Sequence, residues 1–302
     1  MTMTENAPRC GFVALIGAPN AGKSTLLNRL VGGKVSIVSH KVQTTRSLVR
    51  GVMVRESTQL IFVDTPGIFA PKRRLDRAMV SSAWGGAGDA DLIALLIDAE
   101  RGIDDEASAI LDTLKERHQP HILLLNKIDL VERATLLSLA ARLNERANFE
   151  AVFMISAEKG FGCDDVLSYL QEKMPAGPWL FPEDQMTDIP MRQFAAEITR
   201  EKLFLRLHQE LPYASTVETE AWTEMKNGDV RIEQTIYVQR DSQKKIVLGK
   251  GGQTIKAIST AARREISEIL ERKVHLFLFV KVREGWLDDP ERYREMGLEF
   301  PR

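Results

Sequence analysis

A chain of 302 residues, 44% hydrophobic and 27% charged, carries enough apolar material for two cores beneath an ordinary polar surface. Its net charge of -1 excludes a polycation that grips nucleic acid over its whole surface, so any such site has to be a local patch. Cys10 and Cys163 form no close-spaced motif, which excludes a cysteine zinc site or a disulfide framework and fits a reducing cytosol; no run of about 18 apolar residues exists to span a bilayer.

The N-terminus, Met-Thr-Met-Thr-Glu-Asn-Ala-Pro, lacks the basic and apolar regions of a secretory signal, while association with a membrane surface stays open. Short apolar runs follow at Phe12 to Ile16, Leu60 to Val63, Leu92 to Ile97, His121 to Leu125 and Ala151 to Ile155. Helix-forming stretches such as Ala107 to Glu116 and Ala134 to Glu145 lie between them. Apolar strands alternating with helices predict an α/β domain, a mostly parallel sheet flanked by helices, with Ser47 to Val54 as an added strand. Met174 to Pro190 contains four prolines, which continue neither a helix nor a central strand. The domain boundaries read 1–175, a proline-rich linker 176–190, and 191–302.

The second part has another rhythm. A helix is predicted from Arg192 to Glu210, then strands at Thr216 to Trp222 and Val230 to Val238 joined by Asn227-Gly228-Asp229, a turn that tolerates positive φ. A glycine-rich turn at Gly249 to Gly252 opens a helix with Ile255, Ile258, Ala262, Ile266 and Ile269 at helical spacing, and a last strand runs from Val274 to Val282. This is a smaller α+β domain.

Gly17-Ala18-Pro19-Asn20-Ala21-Gly22-Lys23-Ser24, followed by Thr25, fits a phosphate-binding P-loop between strand and helix. Glycines let backbone amides turn to phosphate oxygens, and the helix N-terminus adds a favourable dipole. Lys23 is expected on the β- and γ-phosphates and Ser24 on Mg²⁺. Asp64-Thr65-Pro66-Gly67 ends the run Leu60 to Val63; the acid suits Mg²⁺, often through water, and the Gly67 amide suits the γ-phosphate. Asn126-Lys127-Ile128-Asp129 selects the base: the Asp129 carboxylate can accept from guanine N1–H and its 2-amino group, which adenine lacks. Ser156-Ala157 ends the last strand, where a backbone amide can meet the guanine oxygen.

In order and spacing these motifs resemble those of the translation-factor-related GTPases over residues 8–175. The resemblance implies that Thr44 or Thr45, within Gln43-Thr-Thr-Arg46, closes on Mg²⁺ when the γ-phosphate is present; Thr45, directly before arginine, is favoured. Lys23, Thr45 and Gly67 are the residues placed at the reaction. Ile68 departs from the pattern, standing where a glutamine orients the attacking water. Asn20 resembles an asparagine that binds K⁺ in some such GTPases, and a loop-bracing role is the alternative.

Val247-Leu-Gly249-Lys250-Gly251-Gly252 before a helix resembles the G-x-x-G turn of a KH domain, where an RNA backbone comes close and about four nucleotides are clamped. Residues 240–264 hold seven basic side chains against one acid, Asp241. Lys244, Lys245, Lys250, Lys256, Arg263 and Arg264 are candidate phosphate contacts. The order of elements suits the type II KH topology. Phe277 and Phe279, in an apolar strand, are expected in the core rather than stacked on bases, and the role of Trp286 stays open.

A P-loop GTPase domain followed by a KH domain resembles the bacterial Era family of GTPases. Pro19-Asn20, Gln43-Thr-Thr-Arg46, Asp64-Thr-Pro-Gly67, Leu211-Pro-Tyr213 and Gly285-Trp286 carry the match over nearly the whole chain. The resemblance implies a GTP/GDP switch that binds the 3′ end of small-subunit ribosomal RNA, rather than DNA, and serves small-subunit assembly. It also implies a cytoplasmic protein with peripheral contact to the inner membrane face. The alternative is a signalling GTPase whose KH-like domain binds protein.

Overall fold

The computed structural model describes residues 7–208 and 211–301. They fall into two compact units. One holds Thr45–Asp188 with the chain up to Ser36 and from Arg294; the other holds Ile37–Thr44 with Ile189–Tyr293.

The first unit runs β1 (Arg9–Ile16), α1 (Lys23–Val31), β2 (Val49–Arg55), β3 (Thr58–Asp64), α2 (Arg74–Gly88), β4 (Leu92–Asp98), α3 (Asp105–Leu114), β5 (His121–Asn126), α4 (Arg133–Arg146), β6 (Val152–Met154) and α5 (Cys163–Lys173). The strands form one sheet in the order β2-β3-β1-β4-β5-β6, parallel throughout except that β2 is antiparallel to β3. All seven residues of β3 and of β4 are buried, as strands covered on both faces require. β1 lies between β3 and β4, so the order reverses there and opens a crevice at the carboxyl ends of the strands. α3 starts where Asp104 accepts from the Ala107 amide at 2.8 Å, with Asp105 and Glu106 favouring the positive end of its dipole.

The proline-rich segment is an ordered strap. Gln59 Oε1 accepts from the amides of Leu180 and Phe181 at 2.8 and 3.0 Å, Trp179 Nε1 donates to the Ser57 carbonyl at 3.1 Å, and the Val52 amide donates to the Met186 carbonyl at 2.8 Å. Lacking amide hydrogens at its prolines, it bonds through the residues between them.

The second unit contains α6 (Met191–Arg206), β7 (Ser215–Glu224), β8 (Val230–Val238), α7 (Asp241–Leu248), α8 (Gln253–Leu270), β9 (Val274–Val282) and α9 (Pro290–Glu295). Its sheet is ordered β7-β8-β9, with β7 and β8 antiparallel and β8 and β9 parallel, which is the type II KH arrangement. The apolar stripes of α6, α7 and α8 pack on one face of this sheet: Phe204, Val247 and Ile258 meet Ile236 and Val280, and Ala262 and Ile266 meet Ile232 and Leu276. α6 stops at Arg206, short of the predicted 192–210, because Leu207 turns to extended backbone; residues 209–210 lie outside the described residues.

One expectation is overturned here. Phe277 and Phe279 are 43% and 50% exposed. Leu276, Leu278 and Val280 take the helix-covered face, and period 2 sends the two phenylalanines to the other. Trp286 is buried, its Nε1 donating to the Ala214 carbonyl at 3.3 Å, so it is a packing residue. Among the described residues no helix is long and apolar enough to cross a membrane.

Candidate functional site

The P-loop joins β1 to α1 and bends through Gly17, Asn20 and Gly22, all at positive φ. Ala18, Pro19, Ala21 and Lys23 are buried, Thr25 is half-buried, and Asn20 stands exposed in the left-handed region. Lys23 Nζ arches back to donate to the carbonyls of Gly17 and Ala18, each at 3.0 Å. Burial pulls its pKa down to about 8, against the pull of the Asp64 carboxylate. An ammonium held out of water, at the open end of a helix, is a strong attractor for phosphate oxygens.

Four oxygen-bearing side chains converge at the end of β3. Asp64 Oδ2 accepts from Ser24 Oγ at 2.6 Å, Ser36 Oγ at 2.9 Å and Thr45 Oγ1 at 3.3 Å, and the Ser24 and Thr45 hydroxyls are 2.9 Å apart. Burial raises the Asp64 pKa, with Lys23 and the three hydroxyls working against that rise. Asp64 Oδ1 is buried with no hydrogen-bond partner. An orphaned carboxylate oxygen beside two hydroxyls suits Mg²⁺, which takes few protein ligands and fills its shell from phosphates and water. Of the two candidate threonines, Thr45 reaches this cluster, whereas Thr44 Oγ1 bonds the Lys41 carbonyl at 2.7 Å and Ser39 Oγ at 2.6 Å.

Thr65 donates to the Leu15 carbonyl at 2.8 Å and fixes the start of the turn through Pro66. A Cβ at Gly67 would lie 2.8 to 3.0 Å from Pro19, so only glycine lets this turn meet the P-loop. The Ile68 amide donates to the Gly17 carbonyl at 3.1 Å, and its side chain is buried in the core. An isoleucine side chain offers an attacking water no hydrogen bond.

The base end is built across β5 and β6. Asn126 Nδ2 donates to the Ala21 carbonyl at 2.8 Å while its Oδ1 accepts from the Ala157 amide at 2.9 Å, tying P-loop and 156–157 loop together. Lys127, at φ 64, places Nζ 2.5 Å from Asp98 Oδ2. The Ser156 hydroxyl, then Lys159, holds the Asp129 carboxyl below the usual carboxylate range; Lys159 Nζ is 3.0 Å from Oδ2.

Several residues in this site carry no motif of their own. Ser36 joins the oxygen cluster, and Asn28 Oδ1 positions it by accepting from the Val35 and Ser36 amides at 2.9 Å each. Arg101 donates to the Pro19 carbonyl at 3.3 Å. Arg29, on the outer side of α1, donates to the carbonyls of Ala157, at 3.2 Å, and Glu158. Because those bonds hold the loop that meets the base, Arg29→Ala is expected to speed guanine-nucleotide dissociation by roughly 10-fold. The turnover number should stay near its original value. Stopped-flow release of a fluorescent GDP analogue checks this, and an unchanged off-rate rejects the brace.

In the second unit, Gly249 takes φ 74 and ψ 173, and Gly251 and Gly252 also lie at positive φ. A Cβ at Gly249 would stand 2.2 Å from Thr254 Oγ1. The turn links α7, absent from the sequence reading, to α8. Lys245, Lys250, Lys256, Arg263 and Arg264 are exposed and Lys244 is half-buried.

Residues 37–44 belong to this unit and are bonded to α6. The Val38 amide donates to Glu201 Oε1 at 2.9 Å, Arg200 Nη2 donates to the Thr44 carbonyl at 2.6 Å, and Lys41 Nζ caps the carbonyls of Phe204 and Leu207 at the helix C-terminus.

A family model described as 50S ribosome-binding GTPase matches residues 12–127, and one described as KH domain matches residues 210–287. The chain is 72% identical over 294 residues to GTPase Era of Sinorhizobium medicae, covering 97% of this chain and 95% of that protein. It is 70% identical over 304 residues to GTPase Era of Agrobacterium fabrum, covering 100% and 96%. A crystal structure of Era with MgGDPNP and nucleotides 1506–1542 of 16S ribosomal RNA superposes with TM-score 0.92 at 38% identity, over 96% of this chain and 99% of that one. A variant of Aquifex aeolicus Era bound to GDP·AlF4⁻ gives 0.91 at 38% identity, with the same coverage. Phosphate cradle, acid-centred oxygen cluster and carboxylate at the base end thus stand on the two-part framework of these relatives, and the chain belongs to the Era family of GTPases.

Proposed function

We propose that this GTPase binds GTP through the P-loop and residues 126–129 and 156–157, and that its KH unit holds single-stranded RNA at the 3′ end of small-subunit ribosomal RNA during small-subunit assembly. The observation that carries the nucleotide half is the convergence of Ser24, Ser36 and Thr45 on Asp64, with the buried Lys23 next to Ser24 in the chain. Lys23 neutralises the β- and γ-phosphates, the 17–24 amides orient them, and the Gly67 amide binds the γ-phosphate. Ser24, Thr45 and Asp64 would hold Mg²⁺, which supplies positive charge between the β- and γ-phosphates. Relatives bound to MgGDPNP and to GDP·AlF4⁻ support this assignment.

With Ile68 buried, hydrolysis has to use a backbone group, another side chain, an added cation or a partner. Asn20, exposed on the P-loop, is proposed as a ligand for K⁺. Phosphate release is then expected to be at least 10-fold faster in K⁺ than in Na⁺ buffer and to lose that difference in Asn20→Ala. Equal rates in the two salts remove K⁺ from the mechanism.

The switch couples to RNA through residues 37–45. Thr45 joins the oxygen cluster, while the preceding carbonyl, of Thr44, is held by Arg200. Closure on GTP therefore pulls on a segment bonded to α6, and by reciprocity RNA alters nucleotide affinity by the same factor. The basic, glycine-opened turn supports RNA, and the 16S ribosomal RNA in the relative's complex supports ribosomal RNA over a protein partner. Ultraviolet crosslinking to a 16S 3′-end oligonucleotide, followed by peptide mapping, should place adducts at Lys250 and its neighbours. A module that binds only protein yields none. The chain is read as cytoplasmic, and peripheral membrane contact rests on family resemblance alone.

A further inference from the structure

Helices α6, α7 and α8 cover one face of the KH sheet, while on the other α9 meets the β7–β8 side, where Arg292 lies over the Tyr237 ring and pairs with Glu218. On that second face β9 presents Phe277 and Phe279, separated by one residue and therefore about 6.8 Å apart. They are 43% and 50% exposed, large apolar side chains that the described residues leave half in water. Arg231 lies over the Phe277 ring at 4.8 Å and extends the same stack.

We infer that this outer face is a second RNA subsite, in which bases leaving the glycine-turn groove stack on Phe279 and Phe277. The inference rests on the reading of this unit as an RNA module. Continuity carries it first. The 249–252 turn joins α7 to α8; Val247 of α7 and Ile258 of α8 pack in one cluster with Val280 of β9, and β9 is an edge strand that, among the described residues, pairs with β8 alone. A strand clamped at the turn can follow that edge, and the two rings project from the same strand, β9, on its outer face. Four nucleotides fill a KH groove, so a longer single strand has to go somewhere.

Charge carries it second. Phosphates are repelled by loose carboxylates, and this face offers them partnered ones. Glu233 bonds Arg231 at 2.7 Å, Glu220 accepts from Tyr237 Oη at 2.8 Å with Lys281 at 4.0 Å, and Asp229 meets His275 Nε2 at 2.8 Å. The face is close to neutral. It therefore suits contact with the π-faces of bases, which is sequence-tolerant, while the cations of residues 244–264 hold the phosphates.

The test uses the full-length protein with fluorescein-labelled random-sequence single-stranded RNA, one pool four nucleotides long and one twelve. The long pool is expected to bind the unchanged protein more tightly. Phe277→Ala/Phe279→Ala should weaken the dodecamer by roughly 10-fold per ring and leave the tetramer unaltered. Phe277→Tyr/Phe279→Tyr, which keeps both π-faces, should restore dodecamer binding. Both positions are exposed, so truncation leaves the core intact. If the double alanine variant binds the dodecamer as the unchanged protein does, the subsite is overturned while the groove stands. A face that serves a protein partner instead gives that result. If the unchanged protein binds neither pool, the RNA reading itself fails and the subsite with it.

Discussion

Asp129→Asn should lower affinity for guanosine nucleotides by on the order of 10⁴ and raise affinity for xanthosine nucleotides. Guanine presents two donors, N1–H and the 2-amino group, to a carboxylate that accepts both. An asparagine amide presents one acceptor and one donor, so its N–H₂ faces the guanine amine and both go unsatisfied. Xanthine carries a carbonyl at that corner and accepts from the amide. The change spares the fold: Asp129 sits in a 3-10 turn, its ion pair to Lys159 is a partly exposed one, and such pairs contribute little to stability. Titration follows the same logic. With its pKa held down by Ser156 and Lys159, the carboxylate persists below the usual carboxylate range. Guanine preference should survive mild acid and disappear only as pH falls through that lowered value. Competition between GDP and XDP, measured by displacement of a fluorescent nucleotide, decides the matter, and a variant that still prefers guanine refutes the assignment.

Asp129 was legible in the sequence because its chemistry permits one residue type at one place. The same holds for Lys23, Ser24, Asp64 and Asn126: each must offer a particular charge or donor at a fixed point on a strand end or helix start. Ser36, Asn28, Arg29 and Arg101 were not legible. They act on backbone carbonyls and amides, or through a loop whose path no local pattern records, and several residue types could do so from other positions. α2 was missed for a related reason. Its sequence includes Ser81, Ser82, Gly85 and Gly86, poor helix formers, and packing holds it: a Cβ at Gly86 would lie 3.0 Å from Leu48 Cδ2, so the small residue lets the helix approach. α7 has eight residues and a single buried one, Val247, too little periodicity to read. The phenylalanines of β9 were misplaced because an apolar run implies burial on both faces, and only the tertiary arrangement reveals that α6, α7 and α8 cover one face of β9 and leave the other half exposed.

Gly22→Ala should also be strongly damaging, through strain rather than lost recognition. Gly22 sits at φ 99 and ψ 19 as the N-cap of α1, a left-handed conformation that costs an L-residue about 1–2 kcal/mol. The added methyl would also lie 2.2 Å from Asn126 Nδ2 and 3.5 Å from its Cγ. Asn126 cannot yield cheaply, since its amide bonds the Ala21 carbonyl at 2.8 Å and the Ala157 amide at 2.9 Å. Either the methyl pushes Asn126 away and the 156–157 loop loses its tie, or the P-loop shifts and its amides no longer converge on the phosphates. Nucleotide affinity is expected to drop at least 100-fold and stability by roughly 3 kcal/mol. Asn126→Ala removes the obstructing side chain. The double variant Gly22→Ala/Asn126→Ala should therefore be less destabilised than the sum of the single changes by about 1 kcal/mol, leaving the backbone strain. Thermal melts of the four proteins with nucleotide titrations measure both quantities. Strict additivity would place the injury elsewhere than in this contact, and a single variant that binds GDP within threefold of the original would show that the cradle tolerates what its geometry forbids.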